Sequence, residues 1–373
     1  MQRAALAEQK EAARQAKLLH EEAMWSQAAA MNAELALQYE ELDQLLSSTL
    51  EVDDYVDLDD LVQRPAHPPF DPGALGVASP NPGPPPYPPE PTFEEPPAPK
   101  GIGAALGGAQ RHAANVDAAR RGFEQQHAAW QQHCRQLDAT YRDLWARWKA
   151  GEDERLQKLA AARATYEQGC RERESDVAAA NADLAAFKSN LAFDVPEAIE
   201  EYVQIVLANS AYPEVLPVEH SATFDLGTRE LSLSVVLPAP DQIPAVKEYR
   251  YVAAQDEVVP STLPVKDQRA RYSSIVQQVA VRTLHEIFEA DRAEKIQSIA
   301  MEVVVKRISP ATGLGEDVPL VRVAVDRSEF ATFDLGKVDP AATLQHLGGE
   351  VSKNPHGLVP VNMAPGVRQR GAR

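Results

Sequence analysis

Apolar positions recur along this chain in three rhythms. Through residues 1–47 they fall every three or four positions, at Met24, Ala28, Met31, Leu35, Leu42 and Leu45, with polar Gln38 interrupting the stripe. That spacing lines one face of a helix. The segment lacks proline and is dominated by Ala, Leu, Glu, Gln and Lys, all helix formers. It predicts either an amphipathic helix packed on its own protein or one strand of a coiled coil. Residues 101–193 are helical in a heptad rhythm. Phe123, Trp130, Leu137 and Leu144 recur every seven positions, and His127, Cys134, Tyr141 and Trp148 follow each by four, which is a coiled-coil seam rich in aromatics. A second seam, Leu156, Leu159, Tyr166, Cys170, Val177, Leu184, Phe187 and Leu191, is out of phase across Gly151–Glu154. One long helix with a stutter accounts for the offset. The alternative is a helical hairpin, with Lys149 and Gly151 as a stop and Glu152, Asp153 and Glu154 as a start.

From residue 194 to 365 the rhythm is mixed. Pro196 opens a helix that ends near Asn209–Ser210. A hairpin around Leu226–Thr228 follows, with Leu231, Leu233, Val235 and Leu237 alternating inward against Ser232 and Ser234. Residues 245–253 read as a third short strand. Residues 265–293 give the strongest helix, with Tyr272, Ile275, Val276, Val279, Leu284, Ile287 and Phe288 on one side. A second hairpin places Ile299, Met301, Val303 and Val305 against Val321, Val323 and Val325. Asp339 caps a last short helix with Pro340 in its first turn. The predicted fold class is α+β: long α-helical coiled-coil segments followed by a C-terminal α+β domain with a mainly antiparallel sheet.

Composition adds a linker at 48–100. Fifteen of the 29 prolines lie between Pro65 and Pro99, so neither helix nor ladder can run through. Ten carboxylates against two basic residues keep the segment hydrated. A mobile spacer is the expectation, with PPPYPP at 84–89 as a ligand for an aromatic groove the sharper reading. The acidic run at 51–61 has the pattern of a short docked helix as an option. The predicted organisation is therefore helix 1–47, linker 48–100, helical region 101–193, α+β domain 194–365 and basic tail 366–373.

A net charge of −18 argues against broad attraction to phosphate backbones or anionic membranes. Cys134 and Cys170 both fall in a predicted helix, which fits reduced thiols and a cytoplasmic location. No secretory h-region and no membrane-spanning run is expected. His285-Glu286-Ile287-Phe288-Glu289 starts like a zinc-protease helix but lacks the second histidine, so His285 reads as a surface residue beside an acidic helix end. Glu302 and Lys306 are spaced four apart, not two as in a metal-dependent nuclease strand, and read as a solvent-facing pair. No catalytic, cofactor-binding or metal residue is assigned, and no cofactor is expected. Lys266, Arg269, Arg271 and Arg282, with Lys306 and Arg307 at a strand end and the tail residues Arg368, Arg370 and Arg373, form the basic cluster; Lys266, Arg269, Arg271 and the three tail arginines are its candidate contacts for nucleic acid or a partner.

Three blocks resemble a known family: PPFDPGALG at 68–76, YRYVAAQDEVVPSTLPVKDQRARYSSIVQQVAVRTLHEIFEADR at 249–292, and DPAATLQHLGGEVSKNPHGLVPV at 339–361. The chain resembles the non-catalytic coiled-coil plus α+β region of actinobacterial Mrr-type restriction-endonuclease-like proteins. In that family the nuclease domain would follow the last block, and no position here matches its catalytic residues. The resemblance implies a recognition or assembly protein of a restriction or defence system, self-associating through its helices and partnered by a nuclease, another defence protein or DNA. A coiled-coil scaffold unrelated to DNA, and an enzyme with an unfamiliar site, are the alternatives.

Overall fold

The computed structural model describes residues 2–98 and 108–361, with side chains from residue 10 onward. The chain forms two compact units, one built from residues up to Val62 together with Asn181 onward, the other from Gln63 to Ala180. The first unit thus joins the N-terminal helix to the α+β region, across the predicted domain boundaries.

In the first unit, helix α1 (Gln2–Asp43) buries Ala28, Leu35 and Leu42, and Leu45 in the turn that follows. The stripe is therefore packed on its own protein. Asn32 also braces a strand edge: its side-chain amide donates to Tyr249 O at 2.9 Å and accepts from Tyr249 N at 2.7 Å. That strand is β3 (Val246–Val252), which pairs with β4 (Glu257–Thr262) in a separate two-stranded sheet. Pro260 lies within β4, and a proline marks a run as a poor strand, which is why β4 escaped the periodicity reading.

The main sheet has β1 (Glu219–Asp225), β2 (Glu230–Leu237), β5 (Ser298–Ile308), β6 (Gly315–Asp326) and the two-residue β7 (Glu350–Val351), in the order β1-β2-β5-β6-β7. It is mixed: β2 and β5 run parallel and the other neighbours antiparallel. The chain leaves β2, makes the β3–β4 ribbon and helix α4 (Val265–Ala290), then enters β5; such a long crossover brings the next strand back parallel. Leu231, Leu233, Val235 and Leu237 are buried against Ile299, Met301, Val303 and Val305, as alternation requires. Helix α3 (Pro196–Asn209) adds Ile199, Val203 and Leu207 to this core. Two short helices, α5 (Arg327–Phe330) and α6 (Pro340–His346), close the unit.

Helix α4 is buried on more than its predicted side. Gln278, Arg282, Thr283 and Glu286 are all nearly or fully inaccessible. The turn after α1 covers this second polar face: Gln278 accepts from Leu46 N at 3.2 Å and donates to Leu42 O at 3.3 Å.

The second unit consists of residues 63–98 and the bulk of helix α2 (Gly108–Ala192). This helix runs unbroken through Gly151, where a side chain would meet open space, so the chain forms no hairpin there. Glu152 and Arg155 are half-buried at the apparent phase break, whereas Leu156, predicted in the seam, is 48% exposed. The physical reason is an ion pair: Arg155 bonds to Glu152 and to the carbonyl of Leu75. Among the described residues no helix is long and apolar enough to cross a membrane.

Candidate functional site

The prolines are a strap along α2 and not a free spacer. Trp130 Nε1 donates to Pro88 O at 2.9 Å, Trp148 Nε1 to Ser79 O at 3.1 Å, and Tyr166 Oη to Pro68 O at 2.7 Å. His127 meets Glu90 at 3.0 Å, His67 meets Glu174 at 3.0 Å, and Tyr87 bonds to Asp138. Phe93 stands edge-on to Phe123, with ring centroids 5.7 Å apart. Strap numbers rise as helix numbers fall, so the two run antiparallel. From His67 to Phe93 the strap advances 26 residues while the helix retreats 51, from Glu174 to Phe123. A polyproline II chain would cover about 80 Å in 26 residues and an α-helix about 77 Å in 51. The two rises therefore keep step, one strap residue for two of the helix. Proline has no N–H, so a proline-rich strand offers mainly carbonyls, and indole and phenol donors at helical spacing satisfy them.

This corrects the reading of the seam. Phe123 and Trp130 face the chain's own strap, Leu137 is half-buried and Leu144 is 50% exposed. Likewise PPPYPP lies against an aromatic surface, but that surface belongs to the same chain.

The structure divides the candidate contact residues. Lys266 and Arg269 are exposed near the start of α4. Arg271 is turned inward, its guanidinium carbon 3.5 Å from the Tyr39 ring centroid, with Asp43 at 3.9 Å. Arg282 is buried outright. Lys306 pairs with Glu219 at 3.1 Å and Glu302 with Arg322 at 3.3 Å, so the two do not act as a pair with each other. Arg368, Arg370 and Arg373 lie outside the described residues.

The densest polar group centres on Arg282 and Glu286. Their side chains are 5% and 0% exposed and meet at 2.6 Å. Glu286 Oε1 also accepts from Ser210 Oγ at 2.6 Å and Thr49 Oγ1 at 3.2 Å. Arg282 donates to Leu45 O, Ser210 Oγ and Ala211 O, each at 3.0 Å, and stacks 4.4 Å from the Tyr212 ring centroid. These bonds offset much of the cost of burying the pair, although Glu286 Oε2 is left without a partner. Beside it stand Asp54, His285 and Glu289. Burial pushes the Asp54 carboxyl up to about 7, helped by the Glu286 charge and by its contact and charge repulsion with Glu289. Burial lowers the His285 pKa, and the Glu289 and Glu286 carboxylates oppose it. A cavity of about 450 Å³ opens next to them, lined by Leu50, His285, Glu289, Arg327 and the rings of Phe288, Phe330 and Phe333.

Sequence reasoning placed His285 on the surface. It is half-buried because Asp54, from 231 positions earlier, is folded against it. The i, i+4 spacing of His285 and Glu289 was a visible signal; the arrival of Asp54 was not. No family model, no curated protein and no solved structure matches this chain.

Proposed function

We propose that this chain is a recognition or assembly protein of a restriction or defence system, acting without catalysis of its own. In this reading it is related to the coiled-coil plus α+β region of Mrr-type restriction-endonuclease-like proteins. The observation that carries the assembly role is α2: 85 residues, about 130 Å long by helical rise, with none of its residues buried. Such a helix holds most of its surface available to another chain. Trp145 and Leu156, 40% and 48% exposed, lie eleven positions apart and so share a side of the helix. Coiled-coil pairing there gives self-association or docking of a nuclease or other defence protein.

Lys266 and Arg269 supply the nucleic-acid arm of the proposal. Fluorescence anisotropy with duplex DNA at 50 and 200 mM salt tests it, beside sedimentation of the parent and of Trp145→Glu/Leu156→Glu. The expected results are a larger parent species that the double variant dissociates, and DNA binding that weakens with salt and with Lys266→Gln/Arg269→Gln. A monomeric parent with no DNA affinity ends the reading. Self-association without DNA binding favours the second reading, a scaffold unrelated to DNA, which the inward commitment of Arg271 and Arg282 supports.

A further inference from the structure

We propose that Asp54, His285 and Glu289 form a binding site for a divalent transition-metal ion of the zinc or manganese class. The inference stands apart from the assembly reading. Each residue offers one ligand atom, and the three atoms lie within 4.8 Å of one another. His285 and Glu289 sit one turn apart on α4, so they share a face, and Nε2 and Oε2 are 3.5 Å apart. A tetrahedral ion with metal–ligand distances of about 2.0–2.2 Å spaces its donors by about 3.4 Å. The observed separation is that of two ligands of one ion.

Unmet polar demand at this place is an independent sign. His285 Nε2 and Asp54 Oδ2 are both shut off from solvent and make no hydrogen bond. Glu286, wholly buried alongside, leaves Oε2 without a partner, and its charge acts on both Asp54 and His285. Buried polar atoms are nearly always satisfied, and one left unmet costs about 1–3 kcal/mol. Charge points the same way. Three carboxylates, Asp54, Glu286 and Glu289, converge here, and Arg282 bonds to Glu286 of the three. Arg327, which lines the adjoining cavity, is bound to Asp291 at 2.5 Å. A dication balances this excess.

The donor set selects the ion. One imidazole nitrogen with two carboxylate oxygens suits Zn²⁺, Mn²⁺, Fe²⁺ or Co²⁺, whereas Mg²⁺ and Ca²⁺ prefer oxygen alone. Three protein ligands leave a coordination position for water or an anionic oxygen, and the cavity of about 450 Å³ lined by His285 and Glu289 supplies the way in. Bound metal would also pin the acidic segment around Asp54 to α4.

The test uses the untagged full chain, stripped with EDTA and dialysed, titrated calorimetrically with ZnCl₂, MnCl₂ and MgCl₂. The parent is expected to bind one equivalent of Zn²⁺ that is weakened at least tenfold in His285→Gln and in Glu289→Gln, with no comparable heat from Mg²⁺. Co²⁺ should give visible d–d bands that both variants lose. Glu289 is at the rim, 37% exposed, so Glu289→Gln keeps the fold and decides the matter if His285→Gln does not fold. Zinc binding equal in parent and Glu289→Gln, or no binding at all, overturns the proposal.

Discussion

Trp130 gives its indole N–H to the carbonyl of Pro88, 42 positions away, at 2.9 Å. That bond unites two features that look unrelated along the chain. The aromatic heptad of α2 and the proline run are the two sides of one contact. A coiled-coil partner would need the same face of the helix at Phe123 and Trp130, so the strap restricts any pairing of helices to the remaining surface.

Removing the donors should loosen the strap without unfolding α2. Trp130→Phe, Trp148→Phe and Tyr166→Phe each delete one hydrogen bond to a strap carbonyl. Each such bond contributes about 0.5–1.5 kcal/mol. The triple variant should be cut at Glu90, Glu94 and Glu95 by a Glu-specific protease at least tenfold faster than the parent. Equal cleavage rates would mean the strap is not held by these bonds.

The legible parts of the fold were those with unbroken periodicity. Leu231 to Leu237 and Ile299 to Val305 announced their strands, and Tyr272 to Ile287 announced α4, because one buried face imposes one period. The strap was misread because proline content describes what a segment's backbone cannot do and says nothing of what accepts its carbonyls. The second face of α4 was misread because Arg282 and Glu286 carry charge, and burial of a charge depends on partners such as Thr49, Ser210 and Ala211 that are distant in sequence. The candidate metal group is not legible in the sequence for the same reason: His285 and Glu289 are neighbours on one helix, and Asp54 is not.

The Arg282–Glu286 pair should be a stability determinant. Glu286→Gln leaves a guanidinium buried without its counter-charge, at a cost of about 3–5 kcal/mol. The paired change Arg282→Met/Glu286→Leu removes both charges and should cost less than Glu286→Gln alone. Urea denaturation of the three proteins measures this. A double variant less stable than the single one would contradict it.

Arg271 should behave as a packing residue and not as a surface cation. Its guanidinium covers the Tyr39 ring at 3.5 Å, which ties α4 to α1. Arg271→Gln should lower stability by about 0.5–2 kcal/mol, whereas Lys266→Gln and Arg269→Gln should stay within about 0.5 kcal/mol of the parent. Thermal melts that rank the three alike would place Arg271 with the exposed pair after all.

His220 should make the fold sensitive to mild acid. Its Nε2 is cut off from solvent without a hydrogen-bond partner, Tyr212 lies beside its ring, and burial with the nearby Arg282 charge lowers its pKa to about 4. Free imidazole titrates near 6.5. Between those values the unfolded chain takes a proton that the folded chain refuses, so stability is lost as pH falls from about 6.5 toward about 4. By pH 5 the loss from this one group is about 1–2 kcal/mol. Asp54 works in the opposite direction: its folded value of about 7 lies above the ordinary carboxylate range, so the folded chain gains stability from proton uptake as pH falls through about 7. The two slopes partly cancel in the parent, and the readout is therefore the difference between parent and His220→Gln. Denaturation midpoints at pH 7.5 and pH 5 should show the variant losing less stability than the parent on acidification. The same loss in both would mean that His220 is protonated in the folded chain or reaches water.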